Sequence, residues 1–162
     1  MLIKMQEPLP VYKVVSLFSG CGGADLGLIG GFSYLGKCYE RQNFEIIHAS
    51  DIDKKAVATY NYNFKHTAHL ADIKDLSLQL TEIDLVIGGF PCQPFSTVNP
   101  TKRPDKKESQ LFWEMARVID EIKPKVFVAE NVKGFYRLKK GYYFELACEE
   151  FRSLVIKLLT TF

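Results

Sequence analysis

The stretch that most constrains this chain is Gly88-Gly89-Phe90-Pro91-Cys92-Gln93-Pro94-Phe95-Ser96, directly after the apolar run Ile83-Asp84-Leu85-Val86-Ile87. Such a run predicts a buried strand. The two glycines let the backbone leave that strand without steric penalty, and Pro91 and Pro94 fix φ on either side of the thiol. A turn so restricted holds one side chain still, so the fold must display a cysteine at the end of a strand. Runs of the same kind at residues 11–18, 44–49 and 125–129 are separated by helical patterns. Strands alternating with helices predict an α/β fold with a parallel sheet.

Residues 11–18 carry Val14, Val15, Leu17 and Phe18 almost without interruption, as expected of a strand covered on both faces. The run stops at Ser19-Gly20-Cys21-Gly22-Gly23. A helix from about Ala24, with Leu26, Leu28 and Ile29, would aim its free N–H groups and positive dipole end into that turn, toward an anionic or polar ligand. A nicotinamide-dinucleotide fingerprint, G-x-G-x-x-G, needs glycine where Asp25 stands. Residues 30–43 show no periodicity and read as a loop or short inserted turn. Residues 44–49 form a second strand ending at Ser50-Asp51-Ile52-Asp53, where Asp53 suits the N-cap of a helix over 54–63. Asp51 is left facing the ligand crevice, where an acid can accept from ribose hydroxyls. A short third strand precedes Ala71-Asp72-Ile73.

Beyond the cysteine turn, residues 97–110 include Pro100, Lys102, Arg103, Pro104, Asp105, Lys106 and Lys107. This reads as a basic lid able to touch phosphates. Leu111, Met115, Val118, Ile119 and Ile122 recur at helical spacing in a helix that ends before Pro124. Residues 125–129 predict another buried strand with Glu130-Asn131-Val132 at its end. In parallel sheets ligands bind beyond the carboxyl ends of the strands, so the thiol of Cys92 and the acid of Glu130 should meet in one crevice. Residues 142–162, rich in Phe and Leu, predict a helix and the start of a further strand, with an exposed apolar patch.

A chain of 162 residues with 47% hydrophobic content buries one core. No segment approaches the roughly 18 apolar residues of a membrane helix, and no signal peptide is visible. A cytoplasmic, nucleoid-associated protein is expected. Cys21, Cys38, Cys92 and Cys148 form no C-x-x-C pair, which argues against a disulfide framework and a zinc site. His66 and His69 read as solvated loop histidines, with no metal. The net charge of +2 is nearly silent about nucleic acid.

Three segments together carry a resemblance. Phe18-Ser19-Gly20-Cys21-Gly22-Gly23 resembles the S-adenosylmethionine loop of the DNA (cytosine-5)-methyltransferases, the stretch around Cys92 their nucleophile motif, and Glu130-Asn131-Val132-Lys133-Gly134-Phe135 their glutamate motif. The likeness runs from residue 14 to about residue 151. It implies a Rossmann-like S-adenosylmethionine-dependent methyltransferase fold, a parallel sheet with helices on both faces, C-terminally incomplete. It further implies methyl transfer to carbon 5 of cytosine in duplex DNA, with base flipping and a covalent Cys92 adduct assisted by Glu130. S-adenosyl-L-methionine is the implied cofactor, S-adenosyl-L-homocysteine the product, and no metal takes part. On this likeness Phe18, Ser19, Gly20, Gly22, Gly23, Asp51, Ile52, Asp72, Ile73 and Pro91 hold the cofactor. Asp51 takes the ribose, Ile52 packs on the adenine, and Asp72 receives the adenine amino group. Ser96, Lys102, Arg103, Lys106, Lys107 and Lys133 would contact DNA. The family's Gln-x-Arg-x-Arg strand, target-recognition region and closing helix do not occur within residues 1–162. The chain is therefore expected to be a partial catalytic domain completed by a second chain or a C-terminal half. The alternative is an inactive remnant or regulatory subunit that binds only cofactor or a partner.

Overall fold

Strand and helix alternate along the residues that the structure, a computed structural model, describes: 9–91 and 111–154. In chain order the elements are β1 (Tyr12–Leu17), α1 (Gly23–Ile29), β2 (Phe32–Tyr34), β3 (Lys37–Tyr39), β4 (Phe44–Asp51), α2 (Lys54–Asn63) and β5 (Ala68–Leu70). A 3-10 turn at Ile73–Asp75 leads to β6 (Leu85–Gly89), α3 (Leu111–Ile122), β7 (Val126–Glu130), α4 (Lys133–Arg137) and α5 (Tyr142–Ser153). Five strands make one parallel sheet in the order β5-β4-β1-β6-β7.

Period-two alternation explains how the sheet acquires two cores. Along β1 and β6, Val14 and Leu85 point to one face while Val15, Leu17 and Val86 point to the other. On the first face Ile29 of α1 and Val57 and Tyr60 of α2 close the layer. On the second, Phe112, Met115, Ala116, Val118, Ile119 and Ile122 of α3 are all buried, a stripe at helical spacing, and Ala147 and Phe151 of α5 pack beside them. Each large side chain so buried contributes about 1.5–3 kcal/mol. α3 ends as expected: Lys123 turns left-handed at φ 52 and donates back to Ile119 ahead of Pro124.

Several expectations are corrected. Residues 30–43 contain a small antiparallel hairpin, β2 and β3, rather than only a loop. Its two-residue turn, Leu35-Gly36, has positive φ at both positions, and Phe32 stacks on Tyr39 at 4.8 Å. Gly88 and Gly89 do not release the chain from the strand; they continue it as the last residues of β6. Their smallness serves packing, since a β-carbon on Gly88 would lie 3.1 Å from both the Leu17 carbonyl and the Met115 methyl. β7 is not buried on both faces: Val126 and Val128 are 53% and 45% exposed. Phe127, between them, packs on Phe151. The apolar C-terminal helix is mostly core, because α5 buries Tyr143, Ala147, Cys148 and Phe151. Residues 155–162 lie outside the described residues. The two histidines are not simply solvated loop residues: His69 is exposed but lies on β5 with its ring stacked on His48 at 5.1 Å, and His66, in the loop after α2, is half-buried and bonds to the Tyr60 hydroxyl at 2.6 Å. No helix among the described residues is long and apolar enough to cross a membrane.

Candidate active site

β1 lies between β4 and β6 and hydrogen-bonds to both. From β1 the chain winds outward through β4 to β5, then returns to β6 and winds the other way to β7. The crossovers diverge at β1 and β6, and a crevice opens beyond the carboxyl ends of strands at such a switch point. Register aligns the rim: Leu17 pairs with Ser50 on one side and Gly88 on the other, and Gly89 pairs with Glu130.

The glycine turn forms the rim after β1. Ser19 is held by its backbone amide and hydroxyl, both donating to the Ser50 carbonyl at 3.0 and 3.1 Å, and Gly22 closes the turn with a 2.9 Å bond to the Ser19 carbonyl. Phe18 is left-handed at φ 52, Gly20 at φ 54 and Gly22 at φ 88. At Gly22 glycine is needed twice, for that φ and because a β-carbon would lie 2.3 Å from the Phe64 ring. Above Gly20 the space is open, with no heavy atom within 4 Å of a β-carbon, and Gly23 begins α1 under equally open space. The first turn of α1 already holds a carboxyl group, that of fully buried Asp25. The turn therefore suits a polar ligand with cationic character better than an anion.

The next rim segment follows β4. Asp51 accepts from the Gly20 amide through Oδ2 and from the Asp53 amide through Oδ1, both at 2.8 Å. These bonds fix the plane of the carboxylate, and each oxygen keeps a lone pair for a hydroxyl donor. Ile52, beside it, is 67% exposed, a large apolar surface on the crevice rim. Asp53 caps α2 as expected, its carboxylate accepting from the amides of Lys55 and Ala56. After β5, Asp72 caps the 3-10 turn by accepting from Lys74 at 3.0 Å. Ile73 belongs to the core at 8% exposure, so its side chain faces away from the crevice.

On the other side of the switch point, Phe90 is buried with its ring edge-on to Phe135 at 5.4 Å. The carboxamide of Asn131 donates to the Phe90 carbonyl at 2.7 Å, joining the loop after β6 to the loop after β7. Glu130 is exposed at the end of β7, and a β-carbon on Gly89 would lie 2.9 Å from its Oε2. Gly89 thus clears the floor before this carboxylate. Pro91 is exposed, and Lys133 stands exposed at the start of α4. Cys92, Ser96, Lys102, Arg103, Lys106 and Lys107 lie outside the described residues.

The fold therefore gathers residues 18–23, Asp51, Ile52, Pro91 and Glu130 along one edge of the sheet, with Asp72 further out beyond β5. Sequence reasoning missed the structural role of Asn131, although it stood inside a quoted motif. It also missed the hydrogen-bonded set of buried Asp25 and Tyr60 with half-buried His66, for which a charged residue just inside a helix of otherwise small and apolar residues was the available signal. Among the described residues no group of three or more His, Cys, Asp or Glu side chains could hold a metal ion.

A sequence model of the C-5 cytosine-specific DNA methylases matches residues 12–156. The Type II methyltransferase M.FnuDI of Fusobacterium nucleatum is 37% identical over 155 residues, covering 93% of this chain and 42% of that protein. M1.ScrFI of Lactococcus lactis is 35% identical, covering 83% of this chain and 32% of its own length. Among solved structures, the Dnmt2 methyltransferase of S. pombe superposes over 90% of this chain and 40% of its own, with a TM-score of 0.60 at 26% identity. The chain thus spans less than half the length of these relatives.

Proposed function

The chain belongs to the C-5 cytosine-specific DNA methylase family, and on that premise we propose that it carries the cofactor site and nucleophile of an enzyme methylating carbon 5 of cytosine in duplex DNA. The observation that carries this reading is the 2.7 Å bond from Asn131 to the Phe90 carbonyl. It ties the segment entering Pro91 to the residue following Glu130, which supports a reading in which the thiol of Cys92 and the carboxylate of Glu130 serve one crevice.

Carbon 5 of cytosine is a poor nucleophile. The thiolate of Cys92 adds to carbon 6 while Glu130 holds a proton at nitrogen 3, and the ring electrons shift to make carbon 5 nucleophilic. When bound, S-adenosyl-L-methionine supplies an electrophilic methyl group and leaves as S-adenosyl-L-homocysteine. Solvent water then takes the carbon 5 proton, and the electrons of that bond re-form the ring double bond and expel the Cys92 thiolate. Because neither carbon is reachable in a stacked duplex, the base is flipped into the crevice. The residues present fit the cofactor. Asp51 retains acceptor capacity for ribose hydroxyls, Ile52 offers an exposed apolar face for a purine, and Asp72 stands after β5 for the adenine amino group. Phe18, Ser19, Gly20, Gly22 and Gly23 form the turn beneath it, with Pro91 flanking, while Ile73, its side chain in the core, would approach only through its backbone. Ser96, Lys102, Arg103, Lys106, Lys107 and Lys133 would meet the DNA, which also places the protein at the nucleoid.

Residues 1–162 act as a partial catalytic domain, completed by a C-terminal portion or second chain carrying target recognition. The partial span of the relatives and the exposed Val126 and Val128 on β7 support this. The same partial span favours a second reading, a non-catalytic remnant or regulatory subunit that binds cofactor or a partner chain. A labelled-methyl assay on duplex DNA separates them. The chain supplemented with the C-terminal half of a relative should incorporate label, and the same pair with Cys92→Ser should not, while still binding S-adenosylhomocysteine. Incorporation by Cys92→Ser at the unmodified rate would overturn the mechanism, and no incorporation by any combination would favour the second reading.

A further inference from the structure

The mechanism leaves unused a buried polar chain directly beneath the glycine turn. Asp25, in the first turn of α1, is 0% exposed. Its Oδ1 accepts from the Ser16 hydroxyl at 2.7 Å, and its Oδ2 from the Tyr60 hydroxyl. Ser16 lies in β1 just before the turn and Asp25 just after it, so this carboxylate staples the two stems. Tyr60, itself 0% exposed, has one hydroxyl proton, committed to Asp25. Its oxygen must then accept the 2.6 Å bond from His66, which selects the imidazole form with hydrogen on Nε2. The direction of the chain is thereby determined: His66 donates to Tyr60, and Tyr60 donates to Asp25.

The same elements support the turn sterically. Phe64 stacks on Tyr60 at 4.4 Å, and both rings lie against Gly22, where a β-carbon would sit 2.3 Å from Phe64 and 3.0 Å from Tyr60. At its other end α2 begins at the Asp53 cap, beside Asp51, which holds the Gly20 amide. One helix therefore grips the turn from both sides. A buried carboxylate is costly unless fully hydrogen-bonded, and an apolar side chain would fill the position more cheaply. That cost is understandable if the bonds hold a left-handed backbone that would otherwise relax.

We propose that Tyr60 and His66 are positioning residues that, through Asp25, hold the turn at Ser19-Gly20-Cys21-Gly22-Gly23 in the conformation that receives the cofactor. This inference rests on the cofactor reading above, and its test is chosen so that the two can fail separately. Hydrogen exchange of individual amides is measured on the ligand-free chain near neutral pH, and S-adenosylhomocysteine affinity is measured by calorimetry. The variants are Tyr60→Phe, which keeps the aromatic shelf, His66→Leu, which removes the donor, and His66→Gln, which restores one. Tyr60→Phe and His66→Leu should speed exchange at Gly20 and Gly22 and weaken S-adenosylhomocysteine about five- to tenfold, the worth of one lost hydrogen bond. Exchange in β1 and β6 should stay unchanged, and His66→Gln should behave like the unmodified chain.

Unchanged exchange at Gly20 and Gly22 in Tyr60→Phe would overturn the proposal. So would faster exchange throughout the sheet, which marks a merely structural role, or equal damage from His66→Gln and His66→Leu. If neither the unmodified chain nor its complemented form binds S-adenosylhomocysteine, the cofactor reading fails, and the exchange pattern alone upholds or overturns the positioning role.

Discussion

The Asn131 side-chain amide donates to the Phe90 carbonyl at 2.7 Å, and its Oδ1 accepts from the Val132 backbone amide at 2.9 Å. One side chain thereby joins the loop that leads to Cys92 to the loop that follows Glu130. Asn131→Ala leaves the Phe90 carbonyl unpaired in a partly buried place. Denaturant unfolding should show a loss of about 1–2 kcal/mol. Methyl transfer by the complemented enzyme should fall further than this loss of folded protein explains, since reacting groups misplaced by even about 1 Å lose rate steeply.

Gly89 separates stability from chemistry. Among the described residues, the one close approach to its added β-carbon is the far end of the Glu130 side chain, 2.9 Å away at Oε2. That carboxylate is exposed and free to swing aside. Gly89→Ala should therefore unfold within about 0.5 kcal/mol of the unmodified chain, while methyl transfer in the complemented enzyme falls at least tenfold, as expected for a displaced acid. Full activity in Gly89→Ala would show that the Glu130 position seen here is not the working one.

Asp51→Ala should weaken S-adenosylhomocysteine by about 1–3 kcal/mol, measured by calorimetry. Two losses combine, the acceptor for ribose hydroxyls and the 2.8 Å bond that holds the Gly20 amide. Asp51→Asn retains one oxygen and should fall between. Unaltered affinity in Asp51→Ala would remove this residue from the cofactor site.

Stability should depend on His48. Burial, aided by the neighbouring His69 ring, pulls its pKa from 6.5 down to about 4. Its Nε2 is buried and has no hydrogen-bond partner among the described residues. Between those values the unfolded chain binds the proton that the folded chain refuses, so stability rises with pH. The contribution is complete above pH 6.5 and is lost as pH falls toward about 4. Discounted for partial exposure, the loss is about 1–2 kcal/mol. Urea unfolding of the unmodified chain and His48→Gln at pH 7 and pH 5 measures it, and parallel pH dependence in both would refute the assignment.

Short-range physics controls the features that can be read along the chain. The Asp53 cap of α2 depends on amides two and three residues on, the α3 stripe on helical period, and β1 on a nearly continuous apolar run. These features were legible because their partners lie within a few residues or along one repeat. The roles of Gly88 and Gly89 were not, because both glycine types look alike in sequence; only the approach of Met115, Leu17 and Glu130 shows that they pack rather than turn. The exposed face of β7 was hidden for a related reason, since an apolar run does not say whether a layer covers it. Likewise Asp25 and Tyr60 are 35 residues apart, and no local spacing connects them. They met only when parallel strand order stacked α2 against the turn after β1, because burial of a carboxyl group is decided by which hydroxyls the whole fold brings to it.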